Sequence, residues 1–366
     1  MDMETSKCYL RGFDHIELRV KDAYRMAKYL CKVWGFEEIA YAGPSTGRAY
    51  VESRVLRQGG VVIVLSEGIR TDSLLARLIE TKGEGVQDVA FVVDDVEVAY
   101  RMAILGGAKA VAKPKRFLDD HGNVVMIHAA VATCGDVIHT LMDRRHYHDV
   151  FAPGFRAVGS PLPSGRPIGI EKIDHAVFNV HVGKMDPWTD FYTRAFGMEK
   201  LTTFDETQIT TEYAALRSTV MRSPGSEVMI PINEPVEGKR SHIDDFLRSR
   251  GGAGVQHIAL QTNNIITTVS MLKSRGEEFL EIPECYYQAA QQRVEGLAID
   301  LWPLAQRGIL VDRDEKGYLL QIFTKTILGE GAGFFFEIIQ RHGSDGFGVN
   351  NFRELFIAIE RAAGRC

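Results

Sequence analysis

The sequence predicts an α+β fold in which four β-α-β-β-β modules pair into two half-open antiparallel barrels, with a C-terminal helix over a barrel mouth. Three observations lead to this prediction. The two halves of the chain resemble each other, each half twice repeats a strand, a helix and several short strands, and a stretch rich in proline and glycine separates the halves.

The internal duplication is visible in two pairs of segments. GFDHIEL at 12–18 matches KIDHAVF at 172–178, and GVQDVAF at 85–91 matches GVQHIAL at 254–260. Each half is therefore predicted to form its own curved sheet from two modules.

The order of elements is clearest in the second half. Strand and helix periodicities predict a strand at Ala176–Val180, a helix at Pro187–Phe196, a pair of strands within Glu212–Pro231, a strand at Val255–Gln261, a helix at Ile265–Arg275, and strands at Glu278–Ile282 and Gly317–Thr324. Residues 351–361 space their apolar side chains as one face of a helix. This last segment is the predicted gating helix.

The domain boundary is predicted between Phe151 and Gly169, where turn residues and prolines interrupt every periodic pattern. The first domain is then 1–158 and the second 166–366. Since the second half alone keeps a full set of candidate metal ligands, we expect the first domain to be structural and the second catalytic. The first half is also a candidate for subunit contacts, and a homodimer or homotetramer is expected.

Composition and charge exclude several classes of protein. The chain has 366 residues, of which 45% are hydrophobic and 25% charged, enough to form two cores of ordinary domain size. A net charge of −5 and the lack of a basic run with aromatic residues argue against a nucleic-acid partner. No run approaches the ~20 apolar residues of a membrane span, and the N-terminus does not read as a signal peptide. Five scattered cysteines suit a reducing compartment, so a cytoplasmic location is expected.

Three residues far apart in the chain make up a candidate metal site. His175, His257 and Glu337 each lie in a strand-like apolar run, so each would point into a covered interior where an unpaired charge is costly. Any one of them alone is more often a core side chain with a hydrogen-bonded partner. Together they form the 2-His-1-carboxylate set that holds ferrous iron with open coordination positions.

The duplication supplies an internal control for this site. In the first half, His15 aligns with His175 and Asp88 aligns with His257. Thr140 aligns with Glu337 when Arg144 is matched with Arg341. Only one of the three ligands remains in the first half, which is why the second half is predicted to be the active one.

Four motifs carry a resemblance to a known family: GAGVQHIAL at 252–260, PINEP at 231–235, YLLQIFTK at 318–325 and FFEIIQR at 335–341. The chain resembles the 4-hydroxyphenylpyruvate dioxygenases of the vicinal oxygen chelate (glyoxalase-like) superfamily over nearly its whole length. The resemblance implies Fe(II) on the three ligands and the conversion of 4-hydroxyphenylpyruvate, an aromatic 2-oxo acid, and O2 to homogentisate and CO2.

The resemblance also implies the residues of the substrate pocket. Gln256 and Gln321 match catalytic glutamines that hydrogen-bond the substrate or an iron-bound oxygen. The remaining implied pocket residues are polar side chains and aromatic side chains that enclose the ring and line the gate: Ser218, Asn233, His242, Phe323, Phe336, Phe347, Asn351 and Phe352. For Ser218 and Asn233, a hydrogen bond to the backbone is an equally good interpretation.

One position departs from the family pattern. Where the family commonly has Ser-Gln-Ile, this chain has Ser241-His242-Ile243, and histidine is shorter than glutamine and titrates near neutrality. Two alternatives therefore stay open: a hydroxymandelate synthase or related 2-oxo acid dioxygenase, and a protein that binds an aromatic acid without turnover.

Two further motifs imitate functional sites. His146 and His148 have metal-like spacing but no third ligand nearby, so a solvated loop is expected. Residues 329–333 are rich in glycine but lack the lysine and hydroxyl residue of a phosphate loop, so a turn is expected.

Overall fold

A computed structural model of the chain describes residues 10–205, 215–226, 228–239, 241–297, 299–329, 333–348, 351, 354 and 357. Within these ranges the chain forms two sheets, one from each half. The nine strands of the first sheet are β1 (Leu10–Arg19), β2 (Glu37–Ala42), β3 (Val51–Gln58), β4 (Val61–Gly68), β5 (Gly85–Val93), β6 (Lys109–Leu118), β7 (Val124–Ala132), β8 (Ile138–Asp143) and β9 (Arg156–Ala157). Its helices are α1 (Ala23–Tyr29), which continues as a π-helical turn at Leu30–Trp34, α2 (Leu74–Lys82) and α3 (Val96–Leu105), and a 3-10 turn spans Pro44–Thr46.

The second sheet repeats this plan with eight strands. They are β10 (Ile170–Asn179), β11 (Glu199–Phe204), β12 (Leu216–Arg222), β13 (Met229–Pro235), β14 (Gly254–Thr262), β15 (Leu310–Arg313), β16 (Tyr318–Phe323) and β17 (Phe335–His342). The helices are α4 (Met185–Phe196), α5 (His242–Ser249), α6 (Ile265–Ser274), α7 (Glu284–Arg293) and α8 (Leu301–Ala305).

The predicted fold class is confirmed, with four β-α-β-β-β modules in two sheets. Both sheets are mixed rather than wholly antiparallel, because β1 pairs in parallel with β4, β5 with β8, β10 with β13 and β14 with β17. In each module the helix connects the first strand to the far strand of a three-stranded antiparallel meander. The last strand of the meander lies beside the first strand and runs parallel to it.

The structure departs from the predicted elements in the last module. The predicted strand Glu278–Ile282 is wrong: this stretch forms only an isolated bridge between Phe279 and Thr324. Helices α7 and α8 follow it as an insertion before β15. Of the predicted helix 351–361, the described residues Asn351, Glu354 and Ile357 are helical and the others lie outside the described residues. None of the helices in the described ranges is long and apolar enough to cross a membrane.

The two motifs that imitate functional sites also have a place in the structure. His146 and His148 are both exposed in the turn after β8, as expected for a solvated loop. Of the glycine-rich stretch 329–333, only Gly329 and Gly333 are described, so the predicted turn lies largely outside the described residues. The last strand of the first sheet ends at Ala157 and the first strand of the second sheet begins at Ile170. We therefore propose 1–158 and 166–366 as the two domains.

The two halves share one hydrophobic core. Its largest cluster includes Trp34 of the first half and Phe336 of the second, whose ring centroids are 4.9 Å apart. Trp34 Nε1 donates a hydrogen bond to Glu277 Oε2 (2.7 Å), and Gly60 N donates to Glu171 O (2.6 Å). The first half is therefore packed against the strand that carries Glu337.

A buried ion cluster also joins the halves. The Asp136 carboxylate accepts hydrogen bonds from the guanidinium groups of Arg19 and Arg250, whose side chains are 0% and 4% exposed. Arg250 Nη2 also donates to Val86 O (2.9 Å). Two buried cations from different halves thus share one carboxylate.

Replacing this carboxylate should destabilise the whole protein. Asp136→Asn leaves two buried guanidinium groups without a negative partner, so we expect the free energy of unfolding to fall by about 3 kcal/mol, measured by urea denaturation. Asp72→Asn is the control, because Asp72 pairs with Arg70 where both side chains are more than half exposed. An unchanged urea midpoint for Asp136→Asn would show that the cluster contributes nothing.

Candidate metal centre

The three candidate ligands lie on three neighbouring strands of the second sheet. His175 on β10 and Glu337 on β17 are both directly paired with Ala259 of the strand between them, β14. His257 is two residues before Ala259 and so lies on the same face of the sheet. The small Ala259 side chain at the centre of this row leaves room for the three longer side chains to converge.

The donor atoms converge closely enough to hold one ion. Glu337 Oε2 is 3.3 Å from His175 Nε2 and 3.4 Å from His257 Nε2, and one ligand atom from each residue lies within 4.8 Å of the others. Ligands at about 2.1 Å from a metal and at right angles would be roughly 3 Å apart. This donor set therefore fits one divalent ion, and it is the only such group among the described residues.

Two β-bulges aim the side chains beside the ligands. Between Ile173 and His175 the register of β10 against β14 shifts by one residue, which leaves Asp174 as the extra residue, and a second shift leaves Gln256 as the extra residue before His257. A bulge turns the extra side chain away from strict alternation. Asp174 Oδ1 consequently lies 2.7 Å from His175 Nδ1, and Gln256 Oε1 lies 3.4 Å from His257 Nδ1.

Asp174 fixes the orientation of the His175 ring. Its carboxylate accepts two hydrogen bonds from Arg341, from Nε (2.7 Å) and Nη2 (2.8 Å), and a third from His175 Nδ1. Burial opposes the charge, but Arg341 and His175 outweigh it and hold the pKa of Asp174 far below its usual range. Because Nδ1 carries the proton, Nε2 is the nitrogen that is available to a metal.

The pKa values of the three ligands follow from one buried cluster. Burial lowers the pKa of His175, but the carboxylates of Glu337 and Asp174 outweigh burial and raise it to about 9. Burial raises the pKa of Glu337, but the two imidazoles outweigh it and lower it to about 2. The pKa of His257 is lowered, chiefly by burial. The carboxylate thus stays ionised and ready to bind a cation.

Gln321 orients Glu337 in turn. Gln321 Nε2 donates to Glu337 Oε1 (2.8 Å), and Gln321 Oε1 accepts from Asn351 Nδ2 (2.9 Å). Gln256 and Gln321 thus both lie beside ligands, and a contact of either with a substrate remains a prediction.

Two of the predicted polar pocket residues, Ser218 and Asn233, lie in one row with Asn179 on the ligand face of the sheet. Ser218 is paired with Asn233, and Asn233 is paired with Asn179, which is four residues after His175 on β10. Asn233 Nδ2 is 3.4 Å from Asn179 Oδ1. All three side chains are buried, and Ser218 Oγ, Asn233 Oδ1 and Asn179 Nδ2 have no hydrogen-bond partner among the described residues. Sequence reasoning missed Asn179, although its spacing from His175 places it on the same face.

His242 is the first residue of α5, a helix that packs against β13 and β10. It is buried, and the preceding Ser241 caps the helix together with Asp244. The departure from the family pattern therefore lies in the protein interior, beside the strand of Asn233.

The predicted aromatic residues divide into two groups. Phe323 is paired with Glu337 and lies edge-on to His257 at 6.1 Å, and Phe347 lies 5.1 Å from the His175 ring. Phe336 does not line the site, which corrects the prediction, because the residue next to Glu337 on a strand faces the opposite side and packs on Trp34. Phe335 takes that place, stacked on His257 at 4.8 Å. Phe352 lies outside the described residues.

The first half keeps the scaffold of this centre without its ligands. His15 is paired with Ala90 and Asp88 with Ile138, so His15, Asp88 and Thr140 occupy the places of His175, His257 and Glu337. Asp88 accepts hydrogen bonds from Thr140 N (3.0 Å) and Thr140 Oγ1. These side chains border a cavity of about 190 Å³. The Asp88–Thr140 hydrogen bonds occupy the position where the second half has its ligands.

Comparison with known proteins places these features in context. The sequence profile described as Glyoxalase/Bleomycin resistance protein/Dioxygenase superfamily matches residues 12–143 and 172–322. A 4-hydroxyphenylpyruvate dioxygenase of Aspergillus fumigatus is 40% identical, with 98% of this chain and 94% of the relative covered. That of Dictyostelium discoideum is 38% identical, with 96% and 98% covered. The solved structure of a triple variant of 4-hydroxymandelate synthase from Streptomyces coelicolor has a TM-score of 0.85 and 30% identity, with 97% and 99% covered.

Removing the Asp174 charge should weaken metal binding. Asp174→Asn leaves Arg341 without its ion-pair partner and His175 without a fixed ring orientation, so we expect the affinity for a divalent metal to fall about 10- to 100-fold. Titration of metal-free protein with Co(II) measures this. Asp14→Asn is the matched control, because Asp14 makes the same contacts with His15 (2.6 Å) and Arg144 (2.6 Å) in the half without the ligand trio. Equal affinities of the two variants would contradict a role for Asp174.

The buried carboxylate of the first half should make stability depend on pH. Burial, with a smaller effect of Glu17, raises the pKa of Asp88 from 3.8 to about 7, although His15 and Thr140 act against this rise. The unfolded chain therefore loses this proton at lower pH than the folded chain, so Asp88 lowers stability as pH rises between these values. Asp88→Asn removes this effect, and we expect its Tm relative to the parent protein to be about 2–4 °C higher at alkaline than at mildly acidic pH. A difference in Tm that does not change with pH would contradict this account.

Proposed function

The chain belongs to the 4-hydroxyphenylpyruvate dioxygenase family of the glyoxalase/bleomycin resistance protein/dioxygenase superfamily, and on this basis we propose that it is an Fe(II)-dependent dioxygenase. It would convert 4-hydroxyphenylpyruvate and O2 to homogentisate and CO2. The observation that carries the proposal is the convergence of His175 Nε2, His257 Nε2 and Glu337 Oε2 on one buried point of the sheet.

The donor set favours ferrous iron for this role. Two imidazoles and one carboxylate on one side of an ion leave its other positions open, an arrangement typical of non-haem Fe(II) oxygenases. When bound, the ion would supply open positions for the oxo acid and for O2 and would pass electrons between them, the net electrons coming from the oxo acid. The same donors would also accept Mn(II) or Co(II), which makes Co(II) a useful probe.

The side chains around the trio suit an aromatic 2-oxo acid. Along β10, Asn179 lies roughly 13 Å from His175, at about 3.3 Å per residue. An aryl oxo acid with its acidic end at the trio would therefore point its ring hydroxyl toward Asn179, Asn233 and Ser218. These three side chains have polar atoms without partners among the described residues, and leaving such atoms buried costs about 1–3 kcal/mol each. A hydroxyl can both donate to and accept from this row.

The aromatic side chains near the trio form an apolar surface for the ring of the substrate. Phe323 and Phe335 both contact His257 and lie 6.2 Å from each other, and Phe347 lies against His175. The aromatic ring of the substrate would pack against these side chains, and Gln256 and Gln321 would offer amide groups to its oxo acid end. The packing excludes water from the reacting groups, which strengthens electrostatic interactions within the site.

A second product is the main alternative. The similarity to a 4-hydroxymandelate synthase at a TM-score of 0.85 and the buried His242 in place of the usual glutamine both bear on where the oxygen is placed. His242 begins helix α5, which packs against the strands of Asn233 and Asn179, and an imidazole that reached the substrate from there would hold the ring differently from a longer amide. The identity of the product therefore decides between the two enzymes.

Anaerobic reconstitution with Fe(II), followed by oxygen uptake with 4-hydroxyphenylpyruvate and chromatographic identification of the product, tests the proposal. We expect one iron per chain and homogentisate with release of CO2. Hydroxymandelate as the product would assign the chain to the alternative reaction. Tight substrate binding without oxygen uptake by the iron-loaded protein would instead indicate a binding protein.

The duplicated fold offers a matched control for this experiment. His175→Gln should abolish iron binding and oxygen uptake, whereas His15→Gln, at the equivalent position of the first half, should keep both. Iron retained by His175→Gln and lost from His15→Gln would place the metal in the first half instead and contradict the proposal. The cytoplasmic location and the homodimer or homotetramer stay predictions of the sequence, as do the absence of a nucleic-acid partner and of a membrane partner.

A further inference from the structure

A chain of buried hydrogen bonds runs from Glu337 to helix α7. Gln321 Nε2 donates to Glu337 Oε1 (2.8 Å), Asn351 Nδ2 donates to Gln321 Oε1 (2.9 Å), and the Tyr286 hydroxyl lies 2.7 Å from Asn351 Oδ1. All four side chains are at most 3% exposed. The contacts therefore form in an interior where a missing partner is costly.

The chemistry of the first group fixes the direction of the chain. An ionised Glu337 can only accept, so Gln321 must turn its NH2 group toward it and its carbonyl toward Asn351. Asn351 must then offer its own NH2 to Gln321, which leaves its carbonyl oxygen facing Tyr286. A hydroxyl is the one group in this chain that can donate there without reversing an amide.

Tyr286 is itself held by the sheet. Val311 N on β15 donates to the Tyr286 oxygen (2.7 Å), and Val311 O lies at the same distance, so the one hydroxyl proton is shared between Val311 O and Asn351 Oδ1. Burial raises the pKa of Tyr286, so this proton is kept at neutral pH. The end of the chain is thus anchored to a strand of the same sheet.

A glycine lies directly against the contact between Asn351 and Gln321. Gly348 has a φ of 70°, and a Cβ atom there would lie 2.3 Å from Gln321 Oε1 and 3.1 Å from Asn351 Nδ2. Asn351 N also donates a hydrogen bond to Gly348 O (2.8 Å). The backbone therefore passes directly over the amide contact, at a distance that a side chain would prevent.

The helix that supplies Tyr286 is present in only one half. In the second half, 35 positions separate the end of α6 at Ser274 from Leu310, where β15 begins, and α7 and α8 lie in this stretch, whereas in the first half α3 ends at Leu105 and β6 begins at Lys109. The half that has lost the ligands thus also lacks the insertion. This coincidence links α7 to the metal centre and not to the fold that both halves share.

We propose that Tyr286 is a positioning residue for the metal centre, acting through Asn351 and Gln321 to hold Glu337 Oε1 aside so that Oε2 alone faces His175 and His257. The same contacts attach the chain at Asn351 to the metal site. This inference rests on the metal site of the proposed function, but not on the identity of the substrate or product.

Co(II) binding to metal-free Tyr286→Phe protein tests this role. The variant keeps the ring and loses only the hydroxyl, so we expect Co(II) affinity to fall about tenfold and the Co(II) absorption spectrum to change as Glu337 reorients. Tyr287→Phe is the matched control: Tyr287 is the next residue of α7, and its hydroxyl donates to Ile309 O (3.1 Å) outside the chain of contacts. It should bind Co(II) as the parent protein does.

A second variant tests whether the residues act in series. Asn351→Ala breaks the same chain one step nearer to Glu337, so the double variant Tyr286→Phe, Asn351→Ala should bind Co(II) no more weakly than Asn351→Ala alone. Additive losses would overturn the proposal, as would parental affinity and spectrum in Tyr286→Phe or an equal loss in Tyr287→Phe. Should Tyr286→Phe fail to fold, parental Co(II) binding by Asn351→Ala would overturn it as well.

The test also separates this proposal from the proposed function. A parent protein that binds one Co(II) but, with iron, consumes no 4-hydroxyphenylpyruvate would refute the reaction and leave the positioning role to be judged on the Co(II) data. A parent protein that binds no Co(II) would refute both.

Discussion

The buried Glu337 carboxylate is the constraint on which the arrangement of the second half depends. A charge in the interior is tolerated only when it is paired and hydrogen-bonded. One oxygen of Glu337 takes a hydrogen bond from Gln321, and the other faces two imidazoles. His175 is oriented by Asp174, and Asp174 by Arg341. Each of these groups is therefore held in place by a hydrogen bond or an ion pair with the next. Through Gln321 and Asn351 these contacts extend from the sheet to the C-terminal segment.

The first half shows how the same scaffold is satisfied without a metal. Its Asp14, His15 and Arg144 repeat the contacts of Asp174, His175 and Arg341. Where the second half has a histidine and a glutamate, the first half has Asp88 and Thr140, which bond to each other. Such a direct hydrogen bond satisfies both groups and removes the need for a cation. The scaffold and the metal centre are thus separable properties of the fold.

The ligand trio could be predicted from the sequence because its residue types stand out in apolar strand-like runs, and the duplication provides a control for that choice. Aligning the halves identified His15, Asp88 and Thr140 as the counterparts of the three ligands, and the observed strand pairing places them as the alignment did. Phe336 was assigned to the wrong face, since the resemblance gave a segment and only strand alternation distinguishes Phe335 from Phe336.

Other features left no clear signal in the sequence. Helix α7 has no aliphatic side chain larger than alanine, so its sequence shows no distinct apolar face and it was not predicted. The bulges at Asp174 and Gln256 depend on how β10 pairs with β14, and this pairing cannot be predicted from the sequence of either strand alone. The spacing of Asn179 from His175 indicates the ligand face, but only its pairing with Asn233 shows that it belongs to the polar row.

The contact between Trp34 and Phe336 makes the second half depend on the first half. The strand that carries Glu337 has two faces: one forms the metal centre, and the other rests on the first half. A gene fragment encoding only the second half would expose Phe336 and its neighbours to water. Selection for the metal centre therefore also retains the half without the ligands, because that half covers the apolar face of the strand that carries Glu337.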